Sequence, residues 1–146
     1  MRVLLLIDLL IGGYNFGTIW AHEADIFRTW RLVGARFSEV QSTHWRRLPY
    51  WVFSPVALGL ILAAVLPWIA PASWPAWGVW GSFVLQVVSL VLTATMWGPW
   101  QAKLSKDPRG SESPYLHQIL STHWIRTALY SLNALVLLVW SAVVMG

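Results

Sequence analysis

Four long apolar runs, separated by polar or basic stretches, dominate the pattern of hydrophobic positions along the chain. A membrane-spanning helix needs about 20 mainly apolar residues, and each run is close to that length. Because backbone polar groups inside a bilayer must be satisfied within the segment, the runs are predicted to be transmembrane helices. They cover about residues 3–20, 50–69, 77–97 and 124–145 of a single domain, 1–146.

The first run also has the layout of a signal peptide, with Arg2 before an apolar stretch at residues 3–11. Asp8 interrupts that stretch, and apolar and aromatic residues continue to Trp20. These two features favour a membrane helix.

Composition agrees with a protein whose main solvent is lipid. Hydrophobic residues make up 57% of the chain and charged residues 11%, whereas a soluble domain carries about 25% charged residues. The chain has no cysteine, so disulfides, iron–sulfur centres and thiol catalysis are excluded. The fold class predicted is therefore an all-α integral membrane bundle of four helices.

Basic residues indicate the orientation in the membrane. Nine of the ten Lys and Arg residues fall in the first and third connections or just inside the helices that follow. The positive-inside rule makes that side cytoplasmic and places both termini outside. We expect a multi-pass protein of a bacterial inner membrane, and the net charge of +4 gives no reason to expect a nucleic-acid partner.

The tetrapeptide STHW occurs twice, at residues 42–45 and 121–124. A duplicated helical hairpin would explain it, giving two tandem hairpins related by a pseudo-two-fold axis along the membrane normal. The Ser and Thr of each copy are predicted to cap the second and fourth helices. Trp45 and Trp124 would then lie at the membrane interface, with Arg47 and Arg126 reaching the headgroups.

The histidines of the two copies are the candidates for chemistry. Under the two-fold, His44 and His123 lie at equal depth and face each other across the axis. Two imidazoles so placed could hold one metal ion or ligate haem iron from opposite sides. The alternative is that each copy is only a helix cap and a tryptophan anchor.

Polar residues inside the predicted spans form a second group. Asp8 and Asn15 lie seven residues apart, on one face of the first helix. An ionisable group inside a membrane is a functional candidate by default. Gln86 and Asn133 fall near the bilayer midplane, where interhelical hydrogen bonds are their expected role.

The first connection is long and amphipathic over residues 24–40. Ile26, Trp30, Val33 and Phe37 share one helical face, with arginines between them. This pattern predicts either a helix lying on the inner leaflet or a continuation of the first helix.

Two stretches resemble the anthrone oxygenase-like family of small bacterial four-helix membrane proteins. Residues 27–55 carry Gly34, Phe37, His44, Arg47 and Pro55 in a similar pattern. In the second half the matching positions are Thr93 or Thr95, Pro99, Leu104, Trp124, Arg126 and Thr127. Many members of the family have Asn at the position of His123.

The resemblance implies an oxidoreductase that converts a flat aromatic ketone to a quinone with dioxygen. On this interpretation the catalytic candidates are His44, His123, Arg47 and Arg126, which could stabilise a phenolate-like anion. Trp45, Trp124, Asn15 and Trp97 are the candidates for contacting an apolar small molecule. The alternative is a non-catalytic accessory, lipid-binding or assembly subunit, acting as a homo-oligomer or within a larger membrane complex.

Overall fold

The computed structural model describes residues 1–146 and contains only helices and their connections. Four helices are long and apolar enough to cross a membrane, as the sequence predicts. They are α1 (Arg2–Leu32), α2 (Gly34–Ile69), α3 (Ala76–Leu104) and α4 (Pro114–Met145). The fold is an all-α four-helix bundle.

The bundle is a closed square in which neighbours in sequence are neighbours in space. Helix α1 packs against α2 and α4, and α3 packs against the same two helices. Many large apolar side chains stay exposed on the outer surface, Trp68 at 81% among them. Such a surface is suited to contact with lipid.

Two separate apolar clusters hold the ends of the bundle together. The basic end, where α1 joins α2 and α3 joins α4, contains Phe27, Trp30, Phe37, Leu104, Leu116, Ile119 and Leu120. The opposite end contains Leu5, Leu66, Val79, Leu137, Trp140 and Val144. Each cluster contains residues from the ends of several helices, so each end of the bundle has its own apolar core.

The helices at the basic end extend well beyond the predicted spans. Residues 24–40 do not form a separate helix on the membrane surface: the first part ends α1 and the second part begins α2. Gly34 makes the corner between them with a φ of 61°, a left-handed conformation that glycine adopts without strain. Trp30 and Phe37 turn inward from this corner and are buried.

The predicted capping role of the STHW copies is wrong, because both copies lie inside long helices. Ser42 and Ser121 instead donate to the carbonyl three residues earlier, at 3.0 Å and 3.1 Å. Helix α4 begins seven residues before its copy, where the Ser113 hydroxyl accepts from the Tyr115 amide at 3.2 Å. Ser followed by Pro strongly favours the start of a helix. The prediction made from the repeat placed the start of α4 too late in the sequence.

The connection before α4 is tied to this cap by Asp107. Its carboxylate accepts from the Arg109 side chain at 2.8 Å and 2.9 Å and from the Ser113 hydroxyl at 2.7 Å. These bonds, the one from Arg109 first, hold the pKa of the Asp107 carboxyl well below its usual range.

Three of the four helices contain a π-helical segment: His22–Ile26, Pro49–Phe53 and Thr93–Trp97. Pro49 has no backbone N–H to donate at the start of the second segment, and the Trp51 carbonyl in that segment accepts from the Tyr14 hydroxyl at 2.9 Å. In the third, Gly98 fits closely, since a Cβ there would lie 2.9 Å from the Thr93 carbonyl oxygen. Single π turns inside α-helices are frequent at functional sites.

Candidate functional site

A cavity of about 350 Å³ lies inside the half of the bundle nearer the basic end. This volume is in the range of small-molecule sites. All four helices and all three π-helical segments contribute to its wall. The lining residues are Asn15, Thr18, Ile19, His22, Phe27, His44, Trp45, Leu48, Val52, Phe53, Val56, Ala57, Leu60, Leu90, Thr93, Trp97, Gly98, Gln101, Arg126 and Tyr130.

Most of this wall is apolar, and α2 supplies the largest part of it. From Leu48 to Leu60 that helix presents Val52, Phe53 and Val56 to the cavity. Aliphatic and aromatic walls of this kind bind the flat or extended carbon skeleton of a ligand by burying it.

Among the polar side chains that line the cavity, three buried atoms have no hydrogen-bond partner. They are His22 Nε2 on α1, Gln101 Oε1 on α3 and Arg126 Nε on α4. Buried polar atoms in proteins are nearly always hydrogen-bonded. Three exceptions from three helices around one cavity indicate a binding site for the polar group of a ligand.

Arg126 is fixed by an aromatic ring. Its guanidinium carbon lies 4.2 Å from the centroid of Trp97, a cation–π contact. Trp97 is itself 1% exposed and donates from Nε1 to the Thr122 hydroxyl at 3.0 Å. The guanidinium is therefore held in one orientation beside the cavity.

No carboxylate of the protein is an ion-pair partner of this guanidinium. Glu23 pairs with Arg28 and with His123 instead. A cation buried without a counter-ion is costly. A ligand with an anionic or partly anionic oxygen would supply the missing charge.

His22 and His44 lie next to each other, with ring centroids 5.2 Å apart. His22 Nδ1 is 2.8 Å from the Thr18 carbonyl oxygen, so Nδ1 carries the proton in the neutral ring. That leaves the Nε2 lone pair, which has no partner, as a proton acceptor at the cavity wall.

His123 does not line the cavity and does not pair with His44. Its Nδ1 lies 2.9 Å from Glu23 Oε2. The Phe27 ring contacts both imidazoles, with centroids 4.6 Å from His123 and 6.4 Å from His44. No group of three or more His, Cys, Asp and Glu side chains is placed to hold a metal ion, and a site shared by these two histidines stays a prediction.

The two STHW copies have different surroundings. Trp45 lines the cavity, whereas Trp124 is 61% exposed on the outer surface. Arg126 lines the cavity, whereas Arg47 is exposed. The expected equivalence of the paired residues does not extend to the site.

Two other predicted residues, Asn15 and Trp97, line the cavity. His22, Gln101 and Tyr130 also line it, and sequence reasoning missed them as site residues. His22 had a usable signal, because it follows Asn15 by seven residues and so continues the polar face of α1.

A layer of polar side chains lies between α3 and α4, near the cavity residue Asn15. The Ser82 hydroxyl donates to Asn133 Oδ1 at 2.9 Å and accepts from Gln86 at 3.3 Å. Asn133 thus takes part in interhelical hydrogen bonding, as expected, through a serine that the sequence did not single out, whereas Gln86 bonds only within α3. Such bonds contribute about 0.6 kcal/mol each in a membrane.

Comparison of the chain with known protein families, with curated proteins and with solved structures gives no match. The geometry of the cavity is therefore the ground on which a function is assigned.

Proposed function

We propose that the protein is a membrane oxidoreductase that acts, within the bundle, on an apolar aromatic molecule bearing an acidic or enolisable oxygen. The observation that carries this proposal is that Arg126, His22 and Gln101, each with an unpartnered polar atom, line the same mostly apolar cavity. The family resemblance of the sequence points to the same class of substrate.

The aromatic rings of the ligand would lie against α2, and its oxygen would point toward Arg126. Phe53 and Trp45 supply aromatic contact surface for the rings. Arg126 Nε would donate to the ligand oxygen. Because the site is shielded from water, that bond would be stronger than in solution.

The proposed oxidation needs a proton acceptor, His22 Nε2, and a fixed cation, Arg126. His22 Nε2, with His44 next to it, would remove a proton from the carbon activated by the ligand carbonyl group. The negative charge then moves to the ligand oxygen, where Arg126 stabilises it. The electron-rich carbon reacts with dioxygen: two C–H bonds are broken, one oxygen atom forms a new C=O, and the other leaves with both hydrogens as water.

Turnover of anthrone by the purified protein in lipid nanodiscs tests this function. We expect oxygen consumption matched by quinone formation above the spontaneous rate, and its loss in His22→Asn. Binding of anthrone without turnover would assign the cavity to a non-catalytic carrier or accessory subunit. Absence of both would contradict the proposal.

For the membrane, we propose a bacterial inner membrane with the basic end in the cytoplasm and both termini outside. Ser73, between α2 and α3, and Ser105, after α3, are both exposed. After Ser73→Cys or Ser105→Cys substitution, an impermeant thiol reagent added to spheroplasts should label position 73 and spare position 105. The reverse pattern would invert the orientation.

A further inference from the structure

A second buried polar group lies at the end of the bundle opposite to the cavity. Asp8 of α1 is 1% exposed, and neither of its carboxylate oxygens has a hydrogen-bond partner. It lies on the buried face of α1 together with Leu5, Gly12 and Asn15. The proposed oxidation chemistry makes no use of it.

The surroundings of Asp8 contain no group that could balance a negative charge. Its end of the bundle is the apolar cluster around Leu137 and Trp140. The halves of α2, α3 and α4 at this end, residues 59–69, 76–86 and 131–145, contain no titratable or charged residue. On α1 itself the nearest charges are Arg2 and the amino terminus.

Two further unpartnered atoms occur at the same level. A Cβ at Gly12 would press on Leu137, so these two residues lie at the same level of the antiparallel helices α1 and α4. One turn nearer this end of the bundle, Asp8 is level with Ser141. The Ser141 hydroxyl and Trp140 Nε1 are buried and have no partner. They can hydrogen-bond a neutral carboxyl group or a water beside it, but neither supplies a positive charge.

An ionised carboxylate in such a place would be much more costly than an unmade hydrogen bond. The neutral acid holds one proton and avoids that cost. We propose that Asp8 is a proton-binding site within the membrane, and that it exchanges its proton with the cavity through the polar layer of the bundle.

The polar layer reaches the level of Gly12. There Asn133 Nδ2 lies 3.9 Å from where a Gly12 Cβ would stand, beside the Leu137 side chain at 2.6 Å, and Gly12 itself adds no side chain to the face of α1 between Asp8 and Asn15. Asn133 bonds to Ser82 and Ser82 to Gln86. Gln86 and the cavity residue Asn15 in turn both lie within 4 Å of where a Gly59 Cβ would stand. The identity of the cavity ligand does not enter this inference.

Infrared spectroscopy of the protein in lipid tests the site. Wild type at neutral pH should show the C=O stretch of a protonated carboxyl group in apolar surroundings, and Asp8→Asn, which is nearly isosteric with the neutral acid, should lose it. A carboxylate signal at neutral pH in place of that band would overturn the proposal. Loss of the band on adding Na⁺ at constant pH would also overturn it, in favour of a cation site.

The rate at which the band shifts after transfer to D₂O tests the route. Ser82→Ala removes the hydroxyl that joins Asn133 to Gln86 and should slow the shift. Ser89→Ala is the matched control, because Ser89 is buried on the same helix but bonds only to the Leu85 carbonyl. Equal rates in wild type and Ser82→Ala would contradict exchange through the polar layer.

Discussion

The guanidinium group of Arg126 lies 4.2 Å from the Trp97 ring centroid, with its Nε buried and without a partner. The ring orients the cation but cannot satisfy its N–H groups. This relationship is the reason for proposing an oxygen-bearing ligand rather than a plain hydrocarbon.

The contact between His123 and Glu23 should contribute to stability rather than to ligand binding. Glu23→Gln removes the charge that His123 and Arg28 share, and we expect the free energy of unfolding in micelles to fall by about 1–3 kcal/mol. Glu39→Gln is the control, because Glu39 and its partner Arg36 are 63% and 74% exposed. That change should cost much less stability, because exposed ion pairs contribute little, and an equal loss in both variants would contradict the assignment.

Close packing of α3 on α4 depends on Gly78. A Cβ there would overlap the Trp140 ring, so Gly78→Ala should lower the free energy of unfolding by about 1–3 kcal/mol. At Gly81 a Cβ would meet only Val136, at 3.6 Å. Gly81→Ala should be neutral or stabilising, since alanine is the better helix former by up to about 1 kcal/mol. Destabilisation of the Gly81 variant as large as that of the Gly78 variant would contradict this packing.

The polar layer predicts a modest effect of Ser82→Ala on stability. The change leaves Asn133 Oδ1 without its donor, and we expect a loss of about 0.6–1.7 kcal/mol in unfolding measurements on the protein in lipid. Ser105→Ala, which removes only a bond to a backbone carbonyl at an exposed position, should change the free energy of unfolding less. A larger loss in the Ser105 variant would argue against the layer.

The cap of α4 should resist acid. Since bonds from Arg109 and Ser113 lower the pKa of Asp107 in the folded protein, their contribution to stability is complete above the ordinary aspartate pKa of about 4. It is lost only as the pH falls through the lower folded value. Hydrogen exchange should show the Tyr115 amide still protected near the ordinary aspartate pKa. Asp107→Asn should weaken that protection even at neutral pH, and equal protection in both proteins would contradict the role of Asp107.

The sequence predicts the four helices because a helix surrounded by lipid is apolar on most of its faces. Such a helix appears in the sequence as a long run of apolar residues, whatever their periodicity. It does not predict where they end at the basic end, because there Phe27, Trp30 and Phe37 turn inward and extend the helices beyond the membrane-like run. The π-helical segments also escape prediction. Each inserts one residue into a turn, which rotates the side chains on one side of it relative to those on the other. Arg47 lies just before such a segment in α2, whereas α4, which carries Arg126, has none.

The central claim is that Arg126 binds the oxygen of an aromatic ligand in the cavity. Quenching of tryptophan fluorescence in nanodiscs can compare anthrone with dihydroanthracene, which has the same ring skeleton without the oxygen. Wild type should bind anthrone about ten to a hundred times more tightly, the value of a hydrogen bond to a charged group. Arg126→Gln should lose most of that preference, and Arg46→Gln, at an exposed position outside the cavity, should keep it. Equal affinity of wild type for the two ligands, or an undiminished preference in Arg126→Gln, would contradict the account.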